Sequence, residues 1–249
     1  MTAPATTIFV STIGDEPNFA DCMEHLRAQT AQRPIEVIDR VAPMSAAFQH
    51  MLDRCTTPFY VQVDEDMALV ADAVARLEDL MERSPANVAM VVAPLWDCET
   101  EQPIYGLKIY RHAIVRRFPY DDALGCESRQ LERIRAAGYE ARLLPLKGRR
   151  QCFGEHGRYY TPETIFRRWQ RLFRKNETLG NRMWVEPWAL KLLERYLESR
   201  DELRLYALLG AVAGIAGDST QDREPDWREP NAAFIRLRKY FSPREKNAP

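Results

Sequence analysis

The fold is decided by Phe59-Tyr60-Val61-Gln62-Val63-Asp64-Glu65-Asp66-Met67. Aromatic and β-branched residues open it with the alternation of a short strand, which runs into three acids. Side chains two apart in extended backbone project the same way. The spacing therefore predicts that Asp64 and Asp66 converge on one point, with Glu65 facing elsewhere as a bystander. Two converging carboxylates repel unless a cation lies between them, and hard divalent ions such as Mn2+ or Mg2+ take oxygen ligands. A solvated acidic turn fits the same tripeptide, so the surrounding chain has to decide.

Upstream, residues 7–13 are apolar and β-branched, a first strand ended by the turn Gly14-Asp15-Glu16-Pro17-Asn18. Phe19, Cys22, Met23 and Leu26 recur at helical spacing over residues 19–30, and residues 35–39 form a second strand ending on Asp39. Strand–helix–strand favours a parallel α/β sheet, whose ligands sit at the C-terminal ends of the strands. Asp15, Asp39, Asp64 and Asp66 all fall at that edge. A helix over 45–54 feeds the strand at Phe59. Downstream come a helix over 72–83, a buried strand over 88–95, strand over 102–110, a helix over 128–137 stopped by Gly138, and strand over 139–146. Trp96 and Tyr105 have the faces to stack on a sugar, but core packing is the expectation for both.

Near residue 160 the texture changes. Thr161-Pro162-Glu163 starts a helix dense in Arg and aromatics, and helices follow over 186–199 and 201–213. After Gly217 the chain is polar and Pro-containing, with one amphipathic piece over 232–241. The expected division is an α/β catalytic-type domain over residues 1–160 and a helical appendage over 161–249.

A chain of 249 residues with 45% hydrophobic and 29% charged content is an ordinary globular composition, and its net charge of -1 gives no argument for nucleic acid. Five scattered cysteines without C-x-x-C spacing suggest reduced thiols rather than a disulfide framework or zinc site. The N-terminus lacks the basic and apolar regions of a signal peptide, and no apolar run reaches the ~18 residues of a membrane span. The expected location is the cytoplasm, or the inner face of the membrane.

Taken in order, these segments resemble the family 2-like glycosyltransferases of GT-A fold over roughly residues 6–175. Leu26-Arg27-Ala28-Gln29-Thr30 is similar to the end of that family's opening helix, and Asp64-Glu65-Asp66 to its D-x-D motif. Tyr120-Asp121-Asp122-Ala123-Leu124-Gly125-Cys126-Glu127 resembles the acceptor-side segment that carries the catalytic acid. Gly154-Glu155-His156-Gly157 resembles a late loop supplying a further metal ligand. The resemblance implies a GT-A, Rossmann-like sheet, mixed and mainly parallel, flanked by helices. It also implies a UDP- or GDP-linked sugar donor, a glycan or lipid-linked acceptor, and inverting transfer of one sugar in surface glycan or glycoconjugate synthesis. Asp64, Asp66 and His156 would hold Mn2+ or Mg2+, with the imidazole favouring Mn2+. Glu127 would be the base, with Asp121 and Asp122 as substitutes. Thr12, Asp15, Asp39 and Asp64 would contact the nucleotide sugar, and Lys147 and Arg158 would neutralise its diphosphate. The Q-x-x-R-W motif of processive synthases is absent, which favours single addition.

The segment 166–175 is the most basic run, and Phe166, Trp169, Leu172 and Phe173 share one helical face. A peripheral membrane contact reaching a lipid-linked acceptor is one reading, and a helix docked by that face is the other. Two functional alternatives stay open. A nucleotidyltransferase would need a Gly-rich, basic phosphate loop where Gly14-Asp15-Glu16-Pro17 stands, and an inactive GT-A-like binding module would show no metal-dependent nucleotide affinity.

Overall fold

Alternating apolar residues build the strands in the order the sequence implies. β1 (Thr6–Thr12), α1 (Glu16–Arg27), β2 (Ile35–Asp39), α2 (Met44–Arg54) and β3 (Phe59–Asp64) form the opening of a computed structural model. The structure describes residues 5–217 and 226–241; the polar stretch read after Gly217 falls largely outside them. Then follow β4 (Met67–Leu69), α3 (Ala73–Glu82), β5 (Val88–Asp97), β6 (Gln102–Arg111), α4 (His112–Val115), α5 (Cys126–Ala136), β7 (Glu140–Leu143) and β8 (Gly154–His156). Two of these, β4 and β8, are three-residue strands that periodicity is too short to register. Helix α1 starts earlier than its apolar spacing suggests, because Pro17 fits the first turn, where no N–H is needed.

The strands join one mixed sheet in the order β2-β1-β3-β6-β5-β8-β4, with β7 on β5. The pairs β1–β2, β1–β3, β5–β7 and β5–β8 are parallel; β3–β6, β5–β6 and β4–β8 are antiparallel. Side-chain alternation splits the core between the two faces of the sheet. Ile8, Val10, Val61 and Val63 meet Cys22, Leu26, Val74 and Leu77 of α1 and α3. Phe9, Tyr60, Met90 and Tyr110 meet Phe48, Met51, Cys126 and Ile134 of α2 and α5. Each large side chain buried this way contributes about 1.5–3 kcal/mol before entropy. Gly106 is left out of the β5–β6 register at a bulge, and a Cβ there would lie 2.7 Å from Leu95 Cδ1.

Contacts divide the chain into two units, Met1–Tyr159 and Tyr160–Pro249. The second holds α6 (Pro162–Thr178), α7 (Arg182–Ser199), α8 (Glu202–Ile215) and α9 (Ala232–Phe241). Thr161 caps α6, its hydroxyl accepting the N–H of Thr164 at 3.1 Å, and Asp201 caps α8 by accepting that of Arg204 at 2.8 Å. Gly210 lets α8 lie directly on α6, since a Cβ there would come 3.0 Å from Phe166 Cα. Phe166, Trp169 and Phe173 are wholly buried in this unit with Tyr206, Ala207, Ala211 and Phe234. The apolar face read in 166–175 is therefore a core face. Of the two readings of the segment, this burial fits the helix docked by its apolar face, since an interfacial helix presents that face outward. No helix among the described residues is long and apolar enough to cross a membrane.

Candidate functional site at the strand ends

Parallel pairing brings the predicted rim together. In register, Ser11 lies beside Asp64 and Thr12 beside Asp39. The chain turns at Glu65 and Asp66 and re-enters the sheet at Met67, so the extended-strand argument stops at Asp64. Asp64 accepts the Ser11 hydroxyl at 2.7 Å, whereas Asp66 faces His156. Glu65 is no bystander: it is buried and accepts Thr12 Oγ1, the Ile13 N–H at 3.0 Å and the Asp15 N–H at 3.2 Å. Thr12 Oγ1 in turn accepts the N–H of Gly14 at 2.9 Å. Burial raises the Glu65 carboxyl above its ordinary range, against the opposing pull of these hydrogen bonds. Burial also raises Asp64, with the Asp66 charge adding to it.

His156 is placed by two short strands. It pairs with Met67 across β4 and with Asp97 across β5. Its Nε2 lies 3.2 Å from Asp66 Oδ2, and its Nδ1 lies 3.0 Å from Asp97 Oδ2. An oxygen and a nitrogen this close, with the other ring nitrogen on a buried carboxylate, fit a divalent cation. Among the described residues no three His, Cys, Asp or Glu side chains gather as a complete metal cage. A two-ligand protein site suits ions that take their remaining ligands from phosphate and water.

Alternation along β3 directs Gln62 to the face opposite Val61 and Val63, where α5 delivers Glu127. Gln62 pairs in register with Lys108 of β6. Glu127 Oε1 accepts Lys108 Nζ at 2.5 Å and Gln62 Nε2 at 3.2 Å, and Gln62 Oε1 accepts the Tyr110 hydroxyl at 3.0 Å. Burial pulls the Lys108 ammonium down, but the Glu127 and Asp64 charges outweigh it and leave it raised. Sequence reasoning missed Lys108 and Asp97. The available signals were two polar residues, Gln62 and Lys108, inside otherwise apolar strands, and an acid closing the buried run of β5.

The remaining candidates differ in what surrounds them. Asp15 accepts Asn18 Nδ2 at 2.7 Å, and Asp39 is exposed, 3.9 Å from Arg40. Asp121 is ion-paired with Arg133, and Asp122 lies 3.4 Å from Ser45 Oγ. Lys147 is exposed in the loop after β7. Arg158 is committed to Glu155 at 2.7 Å and Asp21 at 3.1 Å, so its charge is already compensated. Tyr105 is 42% exposed, which corrects the core expectation for it, and Trp96 is half-buried.

No established family matches the chain by sequence, and no curated protein does. Solved structures resemble it to differing degrees. One is mannosyltransferase PcManGT from Pyrobaculum calidifontis, solved in complex with GDP-Man and Mn2+: TM-score 0.54, 16% identity, 87% of this chain and 77% of that chain. Another is TarS from S. aureus in complex with UDP, at TM-score 0.45, 11% identity, and 69% and 65% coverage. A third is 4-diphosphocytidyl-2C-methyl-D-erythritol synthase from Anaerococcus prevotii, at TM-score 0.39, 4% identity, and 57% and 89% coverage. The first of these likenesses establishes the fold, a curled mixed sheet between helices of GT-A type.

Proposed function

We propose that the chain is a divalent-metal-dependent glycosyltransferase that moves one sugar from a nucleotide-sugar donor to an acceptor hydroxyl with inversion. The observation that carries this is the Asp66–His156 pair, 3.2 Å apart at the strand ends of a fold shared with a mannosyltransferase solved with GDP-Man and Mn2+. Asp66 and His156 would hold Mn2+ or Mg2+, and Asp64 would share in the metal or the donor sugar. When bound, the ion offsets charge developing on the diphosphate leaving group. The chain's own residues supply the rest. Thr12, Asp15 and Asp39 line the nucleotide side of the rim, with the exposed Asp39 carboxylate suited to ribose hydroxyls. Lys147 is a candidate cation for the diphosphate; Arg158 would first have to leave Glu155 and Asp21.

Glu127 is the base in this reading. Lys108 and Gln62 hold its Oε1 in place by hydrogen bonds, and an ionised carboxylate is the form that accepts a proton. The acceptor O–H would give its proton to Glu127 as the oxygen attacks the anomeric carbon and the bond to the nucleoside diphosphate breaks. A UDP- or GDP-linked donor and a glycan or lipid-linked acceptor fit this chemistry, at the cytoplasmic face of a membrane or in the cytoplasm. The nucleotidyltransferase alternative is disfavoured at one place. The N–H groups of Ile13, Gly14 and Asp15, which would have to cradle a triphosphate, are occupied by Glu65 and Thr12.

The test is a panel of nucleotide sugars incubated with the protein, with and without Mn2+, and assayed for released nucleoside diphosphate. Slow, metal-dependent release from one or two donors is expected. No release from any donor, with or without acceptor glycans, would refute the reading.

A further inference from the structure

We infer that Asp97 is the positioning residue of the cation site: its buried carboxylate fixes the His156 ring and takes the proton of the neutral ring at Nδ1, leaving Nε2, beside Asp66, for the ion. This rests on the metal reading above and extends it to a residue that touches neither metal nor substrate.

The placement is over-determined. Parallel pairing of β5 with β8 sets Asp97 beside His156 in register, so both side chains rise from the same face. Asp97 is wholly buried. One oxygen, Oδ2, lies 3.0 Å from His156 Nδ1. The other, Oδ1, accepts the Thr100 N–H at 2.8 Å and the Thr100 hydroxyl at 2.7 Å. A carboxylate held at Oδ1 by two donors cannot swing away, and it offers Nδ1 only an acceptor. Asp66 is a second acceptor, 3.2 Å from Nε2, so a neutral ring has one proton for two carboxylates; the nearer and wholly buried Asp97 claims it at Nδ1, which leaves Nε2 for the ion. The backbone closes the same unit: the N–H of Cys98 bonds the His156 carbonyl at 3.0 Å, and that of Gly157 bonds the Asp66 carbonyl at 2.9 Å. Capping the 97–100 turn needs only one Asp97 oxygen. The second, aimed at the imidazole, is what a turn residue alone does not require.

Asp97→Asn separates the two roles. The amide oxygen can keep the Thr100 bonds, but its NH2 then faces Nδ1 and drives the proton to Nε2, the nitrogen that has to bind the ion. Ring-nitrogen NMR of the metal-free protein at alkaline pH should show the Nδ1–H tautomer of His156 in the wild type and the Nε2–H tautomer in Asp97→Asn. Mn2+ binding, read from the electron-spin signal of the unbound ion, should weaken about 10–100-fold in the variant. His156→Ala is the control for the site itself. If His156→Ala loses Mn2+ while Asp97→Asn binds as tightly as wild type, Asp97 has no positioning role. If wild type binds no Mn2+ with GDP or UDP present, or His156→Ala then binds normally, the metal reading falls and this inference with it. Should Asp97→Asn fail to fold, the wild-type spectrum decides alone: an Nε2–H tautomer there overturns the assignment.

Discussion

Glu65 reaches back from the β3–β4 turn to accept the N–H of Ile13 at 3.0 Å, so the acid between the two candidate ligands ties down the loop that follows β1. Its other oxygen takes the Asp15 N–H at 3.2 Å as well as the Thr12 hydroxyl. Removing it leaves several donors of a half-buried loop without an acceptor. Glu65→Ala should cost about 1–3 kcal/mol of stability in denaturant unfolding. Glu65→Gln should fall between, because its amide nitrogen would face a donor. An Ala variant as stable as wild type would mean that the clamp contributes nothing.

Asp64 gives a pH prediction of definite sign. Its folded-state pKa is raised, by burial first and by the Asp66 charge second. The native state thus holds this proton more tightly than the unfolded chain does. The stability it contributes is full below the ordinary carboxylate range and is lost as pH rises through the folded value. In metal-free protein, Asp64→Asn should be at least as stable as wild type at neutral pH, with the difference vanishing in acid. Mn2+ should raise the melting temperature of wild type more than that of the variant. A variant less stable than wild type at neutral pH without metal would contradict this.

Lys108 and Glu127 form a largely buried ion pair, so losing one partner should be worse than losing both. Lys108→Met alone should destabilise by about 1–3 kcal/mol, and adding Glu127→Gln should recover part of that loss in a double-mutant cycle. Kinetically, Glu127→Gln should keep donor binding and abolish transfer. Retained turnover would move the base to Asp121 or Asp122.

Gly154 carries β8 against β4, where an added Cβ would come 2.8 Å from Leu69 Cα and closer still to the Ala68 carbonyl oxygen. Gly154→Ala must push these two strands apart, and His156 lies two residues along β8. The variant should lose about 1–3 kcal/mol and bind Mn2+ more weakly. Undiminished Mn2+ affinity would show that the strand spacing does not set the Asp66–His156 separation.

Much of the sheet was legible because its strands are long enough for alternation to repeat: β1, β2, β3, β5 and β6 lie where apolar patterning put them. The strands β4 and β8 were not, since three residues carry no period, and they are the ones that place His156. The rim carboxylates were read from strand ends, but not the directions they face. Asp64 ends β3 and Asp66 lies in the turn that follows, where the i, i+2 rule for extended backbone no longer applies. Glu65 and Lys108 are held by partners 52 and 19 residues away in sequence, and Asp97 meets His156 59 residues away, distances over which only tertiary pairing can speak. The basic helix α6 was read correctly as amphipathic, and only the packing of α8 on it shows which side is inner.

If Asp66 and His156 hold a cation for a nucleotide-sugar donor, nucleotide affinity depends on that ion. Calorimetric titration of GDP and UDP into wild type and Asp66→Asn, each with and without Mn2+, tests it most directly. One nucleotide should bind wild type at least about tenfold more tightly with Mn2+, a difference of roughly 1.4 kcal/mol, and Asp66→Asn should lose this increment. Nucleotide affinity that is indifferent to Mn2+, or a metal-dependent increment that survives in Asp66→Asn, would contradict it.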